Sequence, residues 1–182
     1  LMLDLFAGMK GASSAFKARG WKVVTVDFDP KFNCTYTADL SKWKYSGRRP
    51  TLIWASPPCT EFSREFMPWN KTGVPPDLTL IKATIKLIKD INPVFWVIEN
   101  TKGAIQWFKP LLGDFKMSCG PYFLWGNFPS FEIDHKKFPK KSLISSSRPD
   151  LRAKIPEQIS IALEREISNS FFFKIPTDKV RT

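Results

Sequence analysis

Cysteine and histidine are both scarce in this chain. Its three cysteines, Cys34, Cys59 and Cys119, are far apart, odd in number and form no CxxC pair. That argues against a disulfide framework and against a zinc site. A reducing, intracellular setting fits, in the cytoplasm or the nucleoid or nucleus. The one histidine, His135, lies in a basic polar run and reads as a surface residue. No apolar run approaches the length that spans a bilayer and no signal pattern is visible, so no membrane partner is expected. Internal repeats are lacking. Acidic residues are few as well: 17 against 28 lysines and arginines, a net charge of +11. That excess favours a polyanionic partner, with nucleic acid first. The 182 residues, 43% of them apolar, suffice for one globular domain over 1–182.

Apolar runs alternate with amphipathic stretches, which predicts an α/β fold with a mainly parallel, doubly wound sheet and a C-terminal antiparallel hairpin. The expected strands are 1–6, 21–26, a short one near 35–38, 51–55 and 93–98. Two or three short strand pieces follow over 115–131. Helices are expected over 12–19, stopped by Gly20, and over 77–91 with Asp77 as N-cap. Two more are expected over 101–108 and over 156–167. The last has proline in its first turn and Ile159, Leu163 and Ile167 on one face. The stretch 57–76 reads as long, proline-bearing and irregular, and such loops are usually functional. Residues 126–152, basic and poor in apolar side chains from Glu132 on, read as an insert.

Polar or reactive groups cluster where the predicted strands end. Asp4 and Gly8 follow the first, Asp27 the second, Cys59 the fourth and Glu99 the fifth. In a doubly wound sheet those ends lie along one edge, where ligands bind. The run Trp54-Ala55-Ser56-Pro57-Pro58-Cys59 ends a strand at two prolines, whose fixed φ stiffens the loop that carries the thiol. Near a helix start, an exposed thiol is expected to have a lowered pKa and to be a nucleophile. Glu99, after five apolar residues, has the setting of a carboxylic acid with a raised pKa. A thiol and such an acid fit methylation of cytosine at C5: the thiolate adds to C6 while the acid engages N3.

Five segments occur in an order that resembles the S-adenosylmethionine-dependent DNA (cytosine-5)-methyltransferases. They are Asp4-Leu5-Phe6-Ala7-Gly8, Val26-Asp27-Phe28, Ala38-Asp39-Leu40, Ser56-Pro57-Pro58-Cys59 with Phe62-Ser63, and Val97-Ile98-Glu99-Asn100. The resemblance implies a Rossmann-like fold and S-adenosyl-L-methionine as cofactor. Phe6 and Gly8 would form the cofactor turn, Asp27 would bind the ribose hydroxyls, and Phe28 would pack on adenine. Asp39, with Leu40 beside it, would accept from the adenine amino group. Pro58 and Cys59 would form the nucleophile loop, Glu99 would act at cytosine N3, and Asn100 would support the loop. Residues 152–156 and the helix after them resemble the family's closing helix. DNA is the implied substrate. RNA cytosine methylation, or a non-catalytic binding role, is the alternative.

The chain departs from the family pattern in four places. Lys10 stands where a second glycine is preferred, and Thr60 where glutamine is common. The arginine-rich motif that grips the base is replaced by Ser118-Cys119-Gly120-Pro121-Tyr122-Phe123. Arg64, Arg148 and Arg152 are the candidate substitutes, with Lys136 and Lys137 as candidate phosphate contacts. A large target-recognition domain is not evident, and only residues 126–152 stand in its place. A separate specificity subunit or a second copy of the chain is therefore a further candidate partner.

Overall fold

Seven strands form one open sheet in the computed structural model, which describes residues 1–66, 72–133, 151 and 153–172, the last by its backbone. The strands are β1 (Met2–Leu5), β2 (Val23–Asp27), β3 (Tyr36–Thr37), β4 (Leu52–Ala55), β5 (Phe95–Asn100), β6 (Met117–Cys119) and β7 (Tyr122–Asn127). The order across the sheet is β3-β2-β1-β4-β5-β7-β6. The first five strands are parallel; β7 runs antiparallel to β5, and β6 to β7. The chain therefore winds outward from β1 to β3, returns, and winds the other way from β4. The switch point falls between the carboxyl ends of β1 and β4, where such sheets open a crevice.

Side-chain alternation explains why the central strands are apolar throughout. Met2, Leu52, Trp54 and Val97 enter one core, and Leu3, Leu5, Ile53, Ala55 and Ile98 enter the other. Strands buried on both faces read as continuous hydrophobic runs. Helices cover the two faces: α1 (Ser14–Ala18), α2 (Thr60–Phe66), α3 (Thr79–Ile91), α4 (Ile105–Leu112) and α5 (Glu157–Phe172). Ile159, Leu163 and Ile167 of α5 are fully buried, as their spacing predicts. Each contributes roughly 1.5–3 kcal/mol by leaving water. Ser160, on the same helix, accepts from the Ala15 amide (3.1 Å) and donates to the Ala12 carbonyl (2.6 Å). This stitches α5 to α1, directly behind the turn that follows β1.

Several expectations need correction. The stretch 57–76 is not wholly irregular, because Thr60–Phe66 is helical. Its helix is held by tertiary contact: Phe62 meets Phe108 edge-on at 5.1 Å. Helix α3 begins at Thr79 with Leu78 at its N-cap; Asp77, one residue earlier, accepts from the Thr79 amide at 2.8 Å. Helix α4 runs through Pro110 to Leu112 instead of stopping at Phe108. A proline so near the helix end removes little of the hydrogen-bond ladder. Helix α5 continues five residues past Ile167, where Phe171 meets Phe95 at 6.1 Å. Of the predicted insert, Gly126 and Asn127 complete β7, and Phe128 and Phe131 are buried. His135, Lys136, Lys137, Arg148 and Arg152 lie outside the described residues.

Gly103 marks the closest approach of the segment after β5 to α2. A Cβ there would stand 2.2 Å from the Phe62 carbonyl oxygen. Gly103→Ala is therefore expected to push α2 away and cost about 1–3 kcal/mol. Thermal unfolding should show a midpoint lowered by about 2–12 °C.

Candidate active site

The turn after β1 is built from unusual backbone. Phe6, Gly8 and Lys10 all have positive φ, at 57°, 46° and 58°. The value at Lys10 gives a physical reason for the glycine preferred there, because a side chain in that region costs roughly 1–2 kcal/mol. Here the Lys10 ammonium donates to the Asn33 carbonyl at 2.8 Å and its amide bonds to the Ala7 carbonyl. Asp27 holds the turn from the neighbouring strand. One of its carboxylate oxygens accepts from the Gly8 amide (2.8 Å) and the other from the Asp29 amide (2.9 Å). Gly11 admits the returning chain: a Cβ there would lie 2.1 Å from the Ile155 carbonyl oxygen.

A cleft of about 520 Å3 opens at the switch point, and Phe6, Gly8, Asp27, Phe28, Asp39, Leu40 and Pro58 all line it. All seven residues expected to hold a cofactor therefore meet in one cavity. Phe28 is 75% exposed, an aromatic face left open at the cleft. The Asp39 carboxylate accepts from the Ser41 hydroxyl and amide, and these bonds hold its pKa below the usual range. Residues 153–155 close another side. Phe32, Ser56 and Asp4 also line the cleft, and sequence reasoning gave the first two no role. Asp4 is buried and accepts from the Ser13 hydroxyl at 2.5 Å. Burial raises its pKa to about 7, with the Asp27 charge adding to the rise and the Ser13 bond opposing it.

Glu99 lies on β5 and Cys59 on the loop that leaves β4, the parallel neighbour in which Ala55 pairs with Ile98; Ser56 and Pro58 of that loop line the cleft. Asn100 is fully buried; its side-chain amide donates to the Pro57 carbonyl (2.9 Å) and its oxygen accepts from the Thr101 amide (2.9 Å). The strand that carries the acid thus grips the loop that carries the thiol. Glu99 is buried, and desolvation raises its pKa to about 7, opposed by a hydrogen bond from Ser56. The orientation of that hydroxyl is set by Trp54, whose indole N–H donates to Ser56 Oγ at 2.8 Å. With an incoming donor on its oxygen, the hydroxyl keeps its own proton for Glu99.

The thiol departs from expectation. Cys59 is half-buried, and its pKa is raised instead of lowered. Burial is the main cause and the Glu99 charge the second; a hydrogen bond from Ser63 acts the other way. Tyr122 on β7 belongs to the same cluster. It is buried, its hydroxyl stands 3.5 Å from the Lys154 carbonyl, and burial with the charges of Glu99 and Cys59 lifts its pKa to about 12. Sequence reasoning saw only that an arginine was missing from this strand. Arg64, a candidate substitute, donates from Nε to Glu65 at 2.9 Å. Glu65 is held at about 2 by bonds from Thr72 and Arg64. Among the described residues no three His, Cys, Asp or Glu side chains could share a metal ion, and no helix is long and apolar enough to cross a membrane.

The raised Glu99 makes stability depend on pH in a definite direction. Between about pH 4.5 and 7 the folded chain holds a proton there that the unfolded chain has released. Stability is therefore greatest at the acid end of that window and falls as pH rises through it. Asp4 adds a slope of the same sign. Glu99→Gln should flatten part of the slope, by about 2–3 kcal/mol across the window, in urea unfolding measured at successive pH values.

Comparison with known proteins accords with this geometry. Residues 1–109 match the family model described as C-5 cytosine-specific DNA methylase. A protein of Frog virus 3 (isolate Goorha), named a probable DNA (cytosine-5)-methyltransferase, is 30% identical over 115 residues, 54% of this chain and 52% of that protein. The chain spans about half the length of that relative. The crystal structure titled as that of a "putative DNA modification methyltransferase" encoded within an E. coli prophage shares the fold. Its TM-score is 0.50 at 18% identity, over 74% of this chain and 49% of that one. With the family model matching more than half of its residues, this chain belongs to the C-5 cytosine-specific DNA methylase family.

Proposed function

We propose that the chain transfers a methyl group from S-adenosyl-L-methionine to C5 of cytosine in DNA, through a covalent bond between Cys59 and C6. One observation carries the reading: a buried acid whose charge raises the pKa of a nearby thiol, on two elements that Asn100 ties together, with Ser56 and Pro58 of the thiol's loop lining the switch-point cleft. The cleft's volume lies in the range of small-molecule sites. Its donor set fits the cofactor. The open face of Phe28, with Leu40 near it, suits an adenine ring, and Asp39 suits its amino group. Asp27 keeps lone pairs for ribose hydroxyls beyond its two amide bonds. Asp4, buried at the turn, is a carboxyl that a cationic group would draw into its charged form. Bound there, the cofactor supplies an electrophilic methyl group.

The chain's own residues then do the following. The target base leaves the stack to reach the pocket, since neither side chain could touch C6 or N3 inside a duplex. Glu99, whose pKa near 7 leaves much of it protonated at neutral pH, donates at N3 and makes C6 electrophilic. In that neutral form Glu99 no longer opposes ionisation of Cys59. The acid that activates the ring therefore also eases formation of the thiolate. Ser63 stabilises the sulfur by its hydrogen bond. Cys59 gives up its proton to water, and addition of the resulting thiolate to C6, with Glu99 engaged at N3, makes C5 nucleophilic. After methylation, loss of the C5 proton to a base expels the thiolate and restores the ring.

Duplex DNA bearing 5-fluorocytosine tests the covalent step, because fluorine cannot leave as the proton does. With cofactor present, a denaturation-resistant protein–DNA complex is expected, and Cys59→Ser should give none. Absence of a complex from a chain that binds cofactor by calorimetry would mark a non-catalytic binding protein, and methyl transfer to RNA alone would overturn the choice of substrate. Glu99→Gln should slow methyl transfer by about 10²–10⁴-fold with cofactor affinity unchanged. Phe28→Ala should weaken cofactor binding about tenfold in the same calorimetry, the loss expected of a stacked aromatic face.

A further inference from the structure

The +11 charge is not evenly spread. From Leu40 to Thr60 there is no acidic residue, while Lys42, Lys44, Arg48 and Arg49 all fall within that stretch. All four are exposed, as is Lys22 on the adjoining strand lead-in. Three aromatic rings lie among them. Trp43 stands 5.7 Å from Tyr36 and 5.9 Å from Tyr45, tilted by 49° and 43°, so neither neighbour covers its face by stacking. Tyr36 is 49% exposed. Two grooves, of about 590 and 760 Å3, meet at Trp43, Lys44, Tyr45, Gly47 and Arg49.

The loop is built firmly. The Tyr45 hydroxyl donates to the Arg48 carbonyl at 2.8 Å, and Arg49 Nε donates to the Asn92 carbonyl at the end of α3. Of the four cations, only Lys42 has a carboxylate within ion-pair distance among the described residues: Asp39, at 3.9 Å. The smaller groove shares Leu40 with the switch-point cleft, and neither groove includes Cys59 or Glu99.

We propose that residues 41–49, with Tyr36 and Lys22, form a binding surface for single-stranded nucleic acid, separate from the reactive pair. Exposed cations that follow a groove suit a phosphate backbone, and the exposed ring of Tyr36, beside the half-buried Trp43 and Tyr45 that pack against the core, suits an unstacked base. A duplex would offer the cations its phosphates but keep its bases from the rings. An acidic peptide would likewise leave the rings without a partner. The inference goes beyond methyl transfer and does not rest on it.

Fluorescence anisotropy of the full chain with a labelled 20-nucleotide single strand, read over a series of salt concentrations, tests the surface. Lys44→Gln with Arg48→Gln should weaken binding about tenfold at low salt and reduce the log–log salt slope by about 1.4, two single-strand phosphate contacts. Tyr36→Ala should weaken binding about fivefold and leave the slope unchanged. Melting temperature and cofactor affinity should stay at their parent values in both variants. Unchanged affinity and slope would overturn the proposal, as would a loss confined to duplex DNA. Displacement of the strand by poly-L-glutamate at equal charge would do the same, by showing that charge alone holds it. Failure of methyl transfer leaves this readout intact, so the two readings fail separately.

Discussion

The side-chain amide of Asn100 joins the two halves of the site. It is fully buried, and its bond to the Pro57 carbonyl links the end of β5 to the loop after β4. Losing such a bond inside the protein costs more than making it gains, because a carbonyl cut off from water has no other partner. The prolines restrict the loop's torsions, but stiffness alone sets no direction. Asn100, the Ser63–Thr101 hydroxyl pair at 3.3 Å and the close packing at Gly103 supply the direction. Cys59 and Glu99 therefore owe their relative placement to three ties between adjacent elements.

Burial dominates the electrostatics of the whole edge. Asp4 and Glu99 sit near 7 although hydrogen bonds pull both down, so in each the loss of water outweighs a donor. The same desolvation keeps the Cys59 thiol protonated in the resting chain. A poor resting nucleophile is consistent with a site that acts only when a base enters. A neutral Glu99 removes the charge that opposes ionisation of the thiol, so the protonation state of the acid sets the readiness of the sulfur.

Legibility in the sequence followed the range of the interaction. Strands buried on both faces announce themselves as apolar runs, and the Ile159, Leu163, Ile167 stripe announces α5, because each is a local pattern. Ordered motifs brought the seven cleft residues and the reactive pair into view for the same reason. Helix α2 did not show, because its seven residues depend on Phe108 and Gly103, more than thirty positions away. The rise in the Cys59 pKa was invisible too: a helix start is read from neighbours in sequence, while desolvation is a sum over neighbours in space. Tyr122 was hidden in the same way. Its strand was recognised by the arginine it lacks, and only the β5–β7 pairing brings the phenol toward Glu99.

Among the described residues the sheet ends on both sides in very short strands, two residues in β3 and three in β6. Open edges are templates for further strands, and brevity is one way of blunting them. So few exposed backbone groups give an incoming strand little to hold. A second copy of this chain, or a specificity subunit, would gain little by extending the sheet and would have to dock through side chains. The long apolar strands that make the core can thus stay interior without recruiting neighbours into a continuous fibre.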